Sequence, residues 1–124
     1  MIRIKRIYEA AAKEDGTRIL VDRLWPRGLK KQDAKVDLWL KEIGPSDELR
    51  KWFSHDPDKW EEFKKRFSAE LDKKRDLVQV VVDKAKEGDV TILFGSKEER
   101  FNNAHALADY LKRKKKIQFT AGRE

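Results

Sequence analysis

Isoleucines at positions 2, 4 and 7 alternate with Arg3, Lys5 and Arg6 at the start of the chain. This pattern predicts a strand over residues 2–8, with charges that suit a sheet edge because they discourage edge-to-edge pairing. Residues 9–16 favour helix until Asp15-Gly16 marks a turn. The run Ile19-Leu20-Val21 predicts a buried strand over 17–24, and Trp25-Pro26-Arg27-Gly28 closes it as a loop.

Helical periodicity governs the middle of the chain. Val36, Trp39, Leu40 and Ile43 follow the i, i+3, i+4, i+7 rule, and Gly44-Pro45 stops that helix. Ser46 fits an N-cap, with Asp47 and Glu48 in the first turn and Leu49, Trp52 and Phe53 on the apolar face. Asp56-Pro57 restarts the pattern as N-cap and N1, followed by a stripe of Trp60, Phe63, Phe67 and Leu71. Residues 77–82 are β-branched, yet the pairs Leu77/Val81 and Val78/Val82 favour a helix closed by Gly88. Val90–Phe94 reads as a buried strand, and Ser96 with Glu99 resembles a capping box. A final amphipathic helix carries Phe101, Ala104, Leu107, Ala108 and Leu111, and residues 116–124 form a short strand or a loose tail.

The order β-β-α-α-α-β-α predicts a small layered α/β domain, with a mainly parallel sheet of three or four strands and about five helices. The second and last strands, joined by a long helical crossover, pair in parallel. The connection between the first two strands is short for a parallel crossover and leaves the orientation of the first strand open. One domain spans residues 1–111, and a basic tail spans 112–124.

Composition narrows the chemistry. The chain has 124 residues and no cysteine, which excludes disulfides, zinc-thiolate and iron–sulfur sites and a cysteine nucleophile. No apolar run is long enough for a membrane span, and the N-terminus lacks the apolar core of a signal peptide, so a soluble cytoplasmic protein is expected. Nineteen Lys, eleven Glu, two Asn and one Met fit thermophilic usage or ordinary lineage bias. The net charge of +7 is unevenly spread: residues 1–31 carry +5, residues 32–111 carry −3 and residues 112–124 carry +5. Such ends point to an anionic partner or to a solvated surface.

Ligands of parallel sheets bind outside the strands' carboxyl ends. Two loops start there: residues 22–28 and Gly95-Ser96-Lys97. The first holds Asp22, Arg23, Trp25 and Arg27 beside a rigid Pro-Gly pair, which describes a phosphate or nucleotide pocket. Equally, Arg23 can pair with a carboxylate and Trp25 can cap the core. The second loop offers a helix start with Ser96 and Lys97, although a cap already explains Ser96. His55 is a candidate acid or base near neutral pH, whereas His105 reads as a packed helix residue. No spacing matches a metal site, a P-loop or a Rossmann fingerprint, and no cofactor is implied.

The segments RILVDRLWPRG, PSDELRKWFSHDPDKWEEF and VTILFGSKEERFNNAHALADYL resemble the YeaO-like family, a domain of unknown function, over residues 4–111. The resemblance implies a compact α/β domain and brings no established activity. It marks Asp22, Arg23, Trp25, Pro26, Arg27 and Gly28, then Pro45, Ser46, Arg50, Trp60 and Phe63, and finally Asn102 and Asn103. Phe101 stands where many relatives carry a histidine, which weakens any mechanism that needs one there. Asn102 and Asn103 can read a polar ligand if they face the Arg loop.

Three functions compete. An anionic small molecule can bind at Arg23, Trp25, Arg27, Ser96, Lys97, Asn102 and Asn103, with Asp22 or His55 as a base should chemistry follow. Nucleic acid can bind the two basic ends in a salt-sensitive manner. The acidic helical middle can instead dock a protein.

Overall fold

A computed structural model describes the backbone of residues 1–123 and the side chains through Arg113. Strands β1 (Ile2–Arg6), β2 (Thr17–Leu20), β3 (Leu38–Trp39) and β4 (Val90–Phe94) form one sheet in the order β1-β4-β2-β3, and every pairing is parallel. The helices are α1 (Lys31–Ala34), α2 (Asp47–Phe53), α3 (Trp60–Asp72), α4 (Arg75–Glu87) and α5 (Asn103–Arg123). The chain is therefore a small α/β domain with a four-stranded parallel sheet. The basic run 112–116 lies within α5, and the side chains from residue 114 onward lie outside the described residues. No helix among the described residues is long and apolar enough to cross a membrane.

The last strand in sequence is central in space. β4 has a neighbour on each side and cover on both faces, so all five of its residues are buried. That environment explains its nearly unbroken apolar run. On one face Ile19, Val90, Ile92 and Phe94 meet Phe53, Phe63, Phe67, Leu71, Val81, Leu107 and Leu111 from the helices. The predicted stripe of α3 faces this core, and Phe63 stacks on Phe53 with centroids 4.2 Å apart. Residues 77–82 are helical, and α4 ends at Gly88.

The opposite face has a smaller core. Ile7, Leu20, Ala34 and Leu93 pack there, joined by Trp25, Leu29, Val36 and Trp39. Its cover comes from loops and α1, and this settles the orientation of β1. Residues 7–16 return across the sheet, without an α-helix, to start β2 in parallel. A segment of this length can span about 33 Å, ample for a five-residue strand of about 17 Å. Only Lys13–Asp15 of the predicted helical stretch is helical, as a single 3-10 turn.

This crossing segment plants a polar plug on the sheet. Asp15 and Arg18 are 3% and 4% exposed. Arg18 Nη1 lies 2.6 Å from Asp15 Oδ2, and Lys5 Nζ lies 3.2 Å from Oδ1. Arg18 Nε also donates to Lys35 O at 3.0 Å and Nη2 to Ala34 O at 2.9 Å, while Ala12 N–H donates to Asp15 Oδ2 at 2.9 Å. Thr91 Oγ1, buried in β4, donates to Asp15 O at 2.8 Å. Gly16 completes the turn with φ +65°; a Cβ there would sit 2.1 Å from Asp89 O, so only glycine fits.

Residues 36–43 are not the predicted helix. Lys35 ends α1 in the left-handed region at φ 51°, and Leu38–Trp39 is an edge strand followed by a 3-10 turn over Lys41–Ile43. The free edge of β2 overrides the local periodicity: Asp37 N–H donates to Arg18 O and Leu40 N–H to Leu20 O, both at 2.9 Å. Leu38 and Leu40 then serve the helical core, and Val36 and Trp39 the opposite one. β1 and β2 are also shorter than predicted, because the chain leaves the sheet after Arg6 and Leu20.

Burial pushes the Asp15 carboxyl up, but the Ala12 N–H, Lys5 and Arg18 outweigh it and hold it below the usual carboxylate range. A carboxylate depressed in the folded state stabilises above its unfolded pKa, and that contribution is lost as pH falls through the folded value. Asp15→Asn, which leaves Arg18 buried without a counter-charge, should cost about 3 kcal/mol of unfolding free energy in urea titrations at neutral pH. The gap between wild type and variant should shrink below pH of about 4.

Candidate functional site

Because β2 and β4 run in the same direction, their carboxyl ends lie side by side, with Leu20 opposite Leu93. The chain leaving β2 gives Asp22 and Arg23, and the chain leaving β4 gives Gly95 and Ser96. Asp22 ties the two ends together. Its Oδ2 accepts the Gly95 N–H at 2.7 Å, and its Oδ1 accepts from Asn103 Nδ2, at the start of α5, at 3.3 Å. Its backbone carbonyl takes the Trp39 indole N–H at 2.7 Å. Burial pushes the Asp22 carboxyl up, against the lowering effects of the Gly95 N–H, Asn103 and the charge of His55.

Arg23 grips the turn before α2. Its Nε donates to Pro45 O at 2.8 Å and its Nη2 to Gly44 O at 3.2 Å, while Glu42 lies 3.8 Å from Nη1. Lys74 Nζ reaches the same Gly44 carbonyl at 2.8 Å. The predicted cap at Ser46 is present: Oγ accepts the Leu49 N–H at 3.2 Å. Glu70 of α3 braces that cap, accepting from Ser46 N at 2.8 Å and from Ser46 Oγ at 2.6 Å.

Between these elements lies a cleft of about 700 Å³. It is lined by Asp22, Arg23 and Leu24 from the chain leaving β2, and by Pro45, Asp47, Arg50 and Lys51 from α2 and the turn before it. Phe53, Phe63, Ser54, His55, Ser96 and Asn103 complete it. Ser54 and His55 both adopt positive φ, 48° and 56°, and turn the chain sharply out of α2. Left-handed non-glycine residues carry strain and recur at functional sites. His55 Nδ1 lies 3.1 Å from the Phe101 carbonyl. A carbonyl only accepts, so Nδ1 donates and the neutral ring keeps its lone pair on Nε2.

The structure gathers Asp22, Arg23, His55, Ser96 and Asn103 around one cleft. It places the other candidates elsewhere. The Trp25 indole donates to Leu29 O at 2.7 Å and meets Trp39 edge-on at 5.3 Å, so it closes the smaller core. Arg27 is exposed, and its carbonyl accepts from Tyr8 Oη at 2.7 Å. Lys97 is exposed outside the cleft. Asn102 is fully buried and caps α5, taking the His105 N–H on Oδ1 at 3.0 Å. Ser96 and Glu99 do not form a capping box, because α5 starts at Asn103. Instead Ser96 Oγ accepts the Glu98 N–H, and the Glu98 carboxylate accepts the N–H groups of Arg100 and Phe101. Nothing in the spacing of the sequence marks Lys51, Phe53 or Ser54 as cleft residues. The family-marked Arg50 is the one signal in α2 that points to this wall.

A small parallel α/β domain with a polar cleft at its strand ends is the class defined by this architecture. A family model described as the inactive DUF488-N3 subclade matches residues 1–122. The chain is 44% identical over 111 residues to "Uncharacterized protein YeaO" of Escherichia coli (strain K12), covering 90% of this chain and 96% of that protein. It is also 46% identical over 70 residues to uncharacterized proteins of Mycobacterium bovis and Mycobacterium tuberculosis, covering 56% of this chain and 59% of each relative. No solved structure matches. The chain belongs to the YeaO-like family, a domain of unknown function within that DUF488-N3 subclade.

The two loop arginines should separate cleanly in thermal and urea unfolding. Arg23→Ala strips the Pro45 carbonyl of its donor and should cost about 2 kcal/mol. Arg27→Ala should change stability by less than about 0.5 kcal/mol.

Proposed function

We propose that this protein binds an anionic small molecule, phosphate-bearing or nucleotide-like, in the cleft at the carboxyl ends of β2 and β4. The observation that supports this is the charge of the cleft lining: Arg23, Arg50 and Lys51 stand against Asp22 and Asp47. Arg23 is committed to the Gly44-Pro45 turn, so the anion falls to Arg50 and Lys51. Arg50 pairs with Asp47 at 3.1 Å, but both side chains are more than half exposed, at 55% and 71%. Such a pair is weak and readily yields to a ligand. The apolar floor of Phe53 and Phe63 and the Pro45 wall suit the body of an organic anion rather than a bare ion. The description of the family as inactive favours binding over turnover.

Nucleic-acid binding would draw on the basic regions 1–31 and 112–124; in the first, Arg3, Lys5, Arg6 and Arg18 already hold protein partners, and the side chains from residue 114 onward lie outside the described residues. The walls and floor of the cleft favour the small anion instead.

Calorimetric titration with inorganic phosphate, ribose 5-phosphate and nucleoside monophosphates tests it. Wild type should bind at least one of them, more weakly as salt rises. The double variant Arg50→Ala/Lys51→Ala should bind about tenfold or more weakly, with unfolding free energy changed by less than about 1 kcal/mol. Absence of binding by wild type across the panel would overturn the reading.

A further inference from the structure

On the basis of that anion site, we infer that Asp22 is a specificity-determining acceptor, and that the ligand is a phosphate ester carrying hydroxyl or amino hydrogens. An ionised carboxylate offers about four acceptor positions. Asp22 uses two, toward Gly95 N and Asn103 Nδ2. Among the described residues no Lys, Arg or His nitrogen lies within ion-pair distance of it. A half-buried carboxylate without a cation is costly, and a donor from a ligand relieves that cost.

Asn103 points to the same ligand chemistry. Its Nδ2 donates to Val21 O at 3.2 Å and to Asp22 Oδ1 at 3.3 Å. Both oxygens can only accept, which fixes the amide orientation and leaves Asn103 Oδ1 as an acceptor. The Asp22–Asn103 pair therefore has spare acceptor positions and no spare side-chain N–H. Gly95 holds the pair in place: a Cβ there would come 3.2 Å from Asp22 Oδ2, so the lack of a side chain lets the backbone N–H seat the carboxylate.

The two sets of cleft residues make opposite demands. Arg50 and Lys51 select negative charge, and the Asp22–Asn103 pair repels it but welcomes O–H and N–H. An inorganic phosphate satisfies only the first. A phosphate ester with hydroxyls, as in a sugar phosphate, or with an amine, as in an amino-alcohol phosphate, satisfies both.

Three probes separate these possibilities in wild-type protein: ribose 5-phosphate, 2-aminoethyl phosphate and propyl phosphate, which has no donor on its body. At least one donor-bearing ester should bind about tenfold or more tightly than propyl phosphate, as a hydrogen bond to a charged acceptor provides. Which of the two binds better tells hydroxyl from amine. Asp22→Asn should cut that preference to within about threefold and, because a repelling charge is gone, should bind propyl phosphate at least as tightly as wild type does. In this variant the amide oxygen must stay on the Gly95 N–H, so an NH₂ replaces Oδ1. If Asp22→Asn does not fold, Asn103→Ala serves instead and should weaken only the donor-bearing esters. Equal affinity of all three esters for wild type would overturn the inference and leave the anion site standing. A variant that weakens all three probes alike would overturn it in the same way. Binding of none of them would overturn the anion site, and the inference with it.

Discussion

The Arg23 guanidinium holds the working end of this domain in shape. It leaves the end of β2 and closes on the Gly44 and Pro45 carbonyls, where Lys74 also arrives. Those carbonyls precede α2, and a helix start is only as well placed as the turn that feeds it. Once the turn is fixed, the Ser46 cap and the Glu70 brace set the direction of α2. Arg50, Lys51, Ser54 and His55 then line the same cleft as Asp22. An arginine that reads as a ligand contact in sequence thus does its work one step earlier, by holding a wall. Its planar fork suits the task, because it reaches two carbonyls at once and stays charged at every relevant pH.

The two faces of the sheet are built on different principles. Helices bury one face with large aromatic and aliphatic side chains, a non-directional arrangement that tolerates some variation in detail. Loops cover the other, where they bring polar backbone that needs partners. The Asp15–Arg18–Lys5 cluster supplies them, with Ala12, Ala34, Lys35 and Thr91 completing the network. Directional bonds thus do on this face what apolar area does on the other.

The relatives and the geometry together explain much of the family pattern. Arg23, Pro45 and Ser46 form one clamp, and Trp25 closes the smaller core beside Trp39. Asn102 caps α5, and its neighbour Asn103 joins Asp22 at the mouth of the cleft. Adjacent asparagines, indistinguishable in sequence, divide structure and site between them, because successive helix positions turn by about 100°.

The elements with strong periodicity were legible from sequence. The stripe of α3, the Ser46 and Asp56-Pro57 caps, the helix over residues 77–82 and the buried run of β4 follow from rules that act over a few residues. The α/β class and the parallel pairing of β2 with β4 follow from element order. Sequence also placed Asp22 and Arg23 at a strand's carboxyl end. It did not reveal that residues 36–43 would leave a helical pattern for the open edge of β2, because that edge exists only once the sheet has formed. Nor did it say which side chains are committed to structure: Trp25 and Arg23 are consumed by partners 4 and 22 residues away, whereas Lys51 and His55 line the cleft. Local spacing fixes which way a side chain leaves its own element. Only the packed tertiary structure decides what meets it there, because burial and hydrogen-bond partners come from distant segments of the chain.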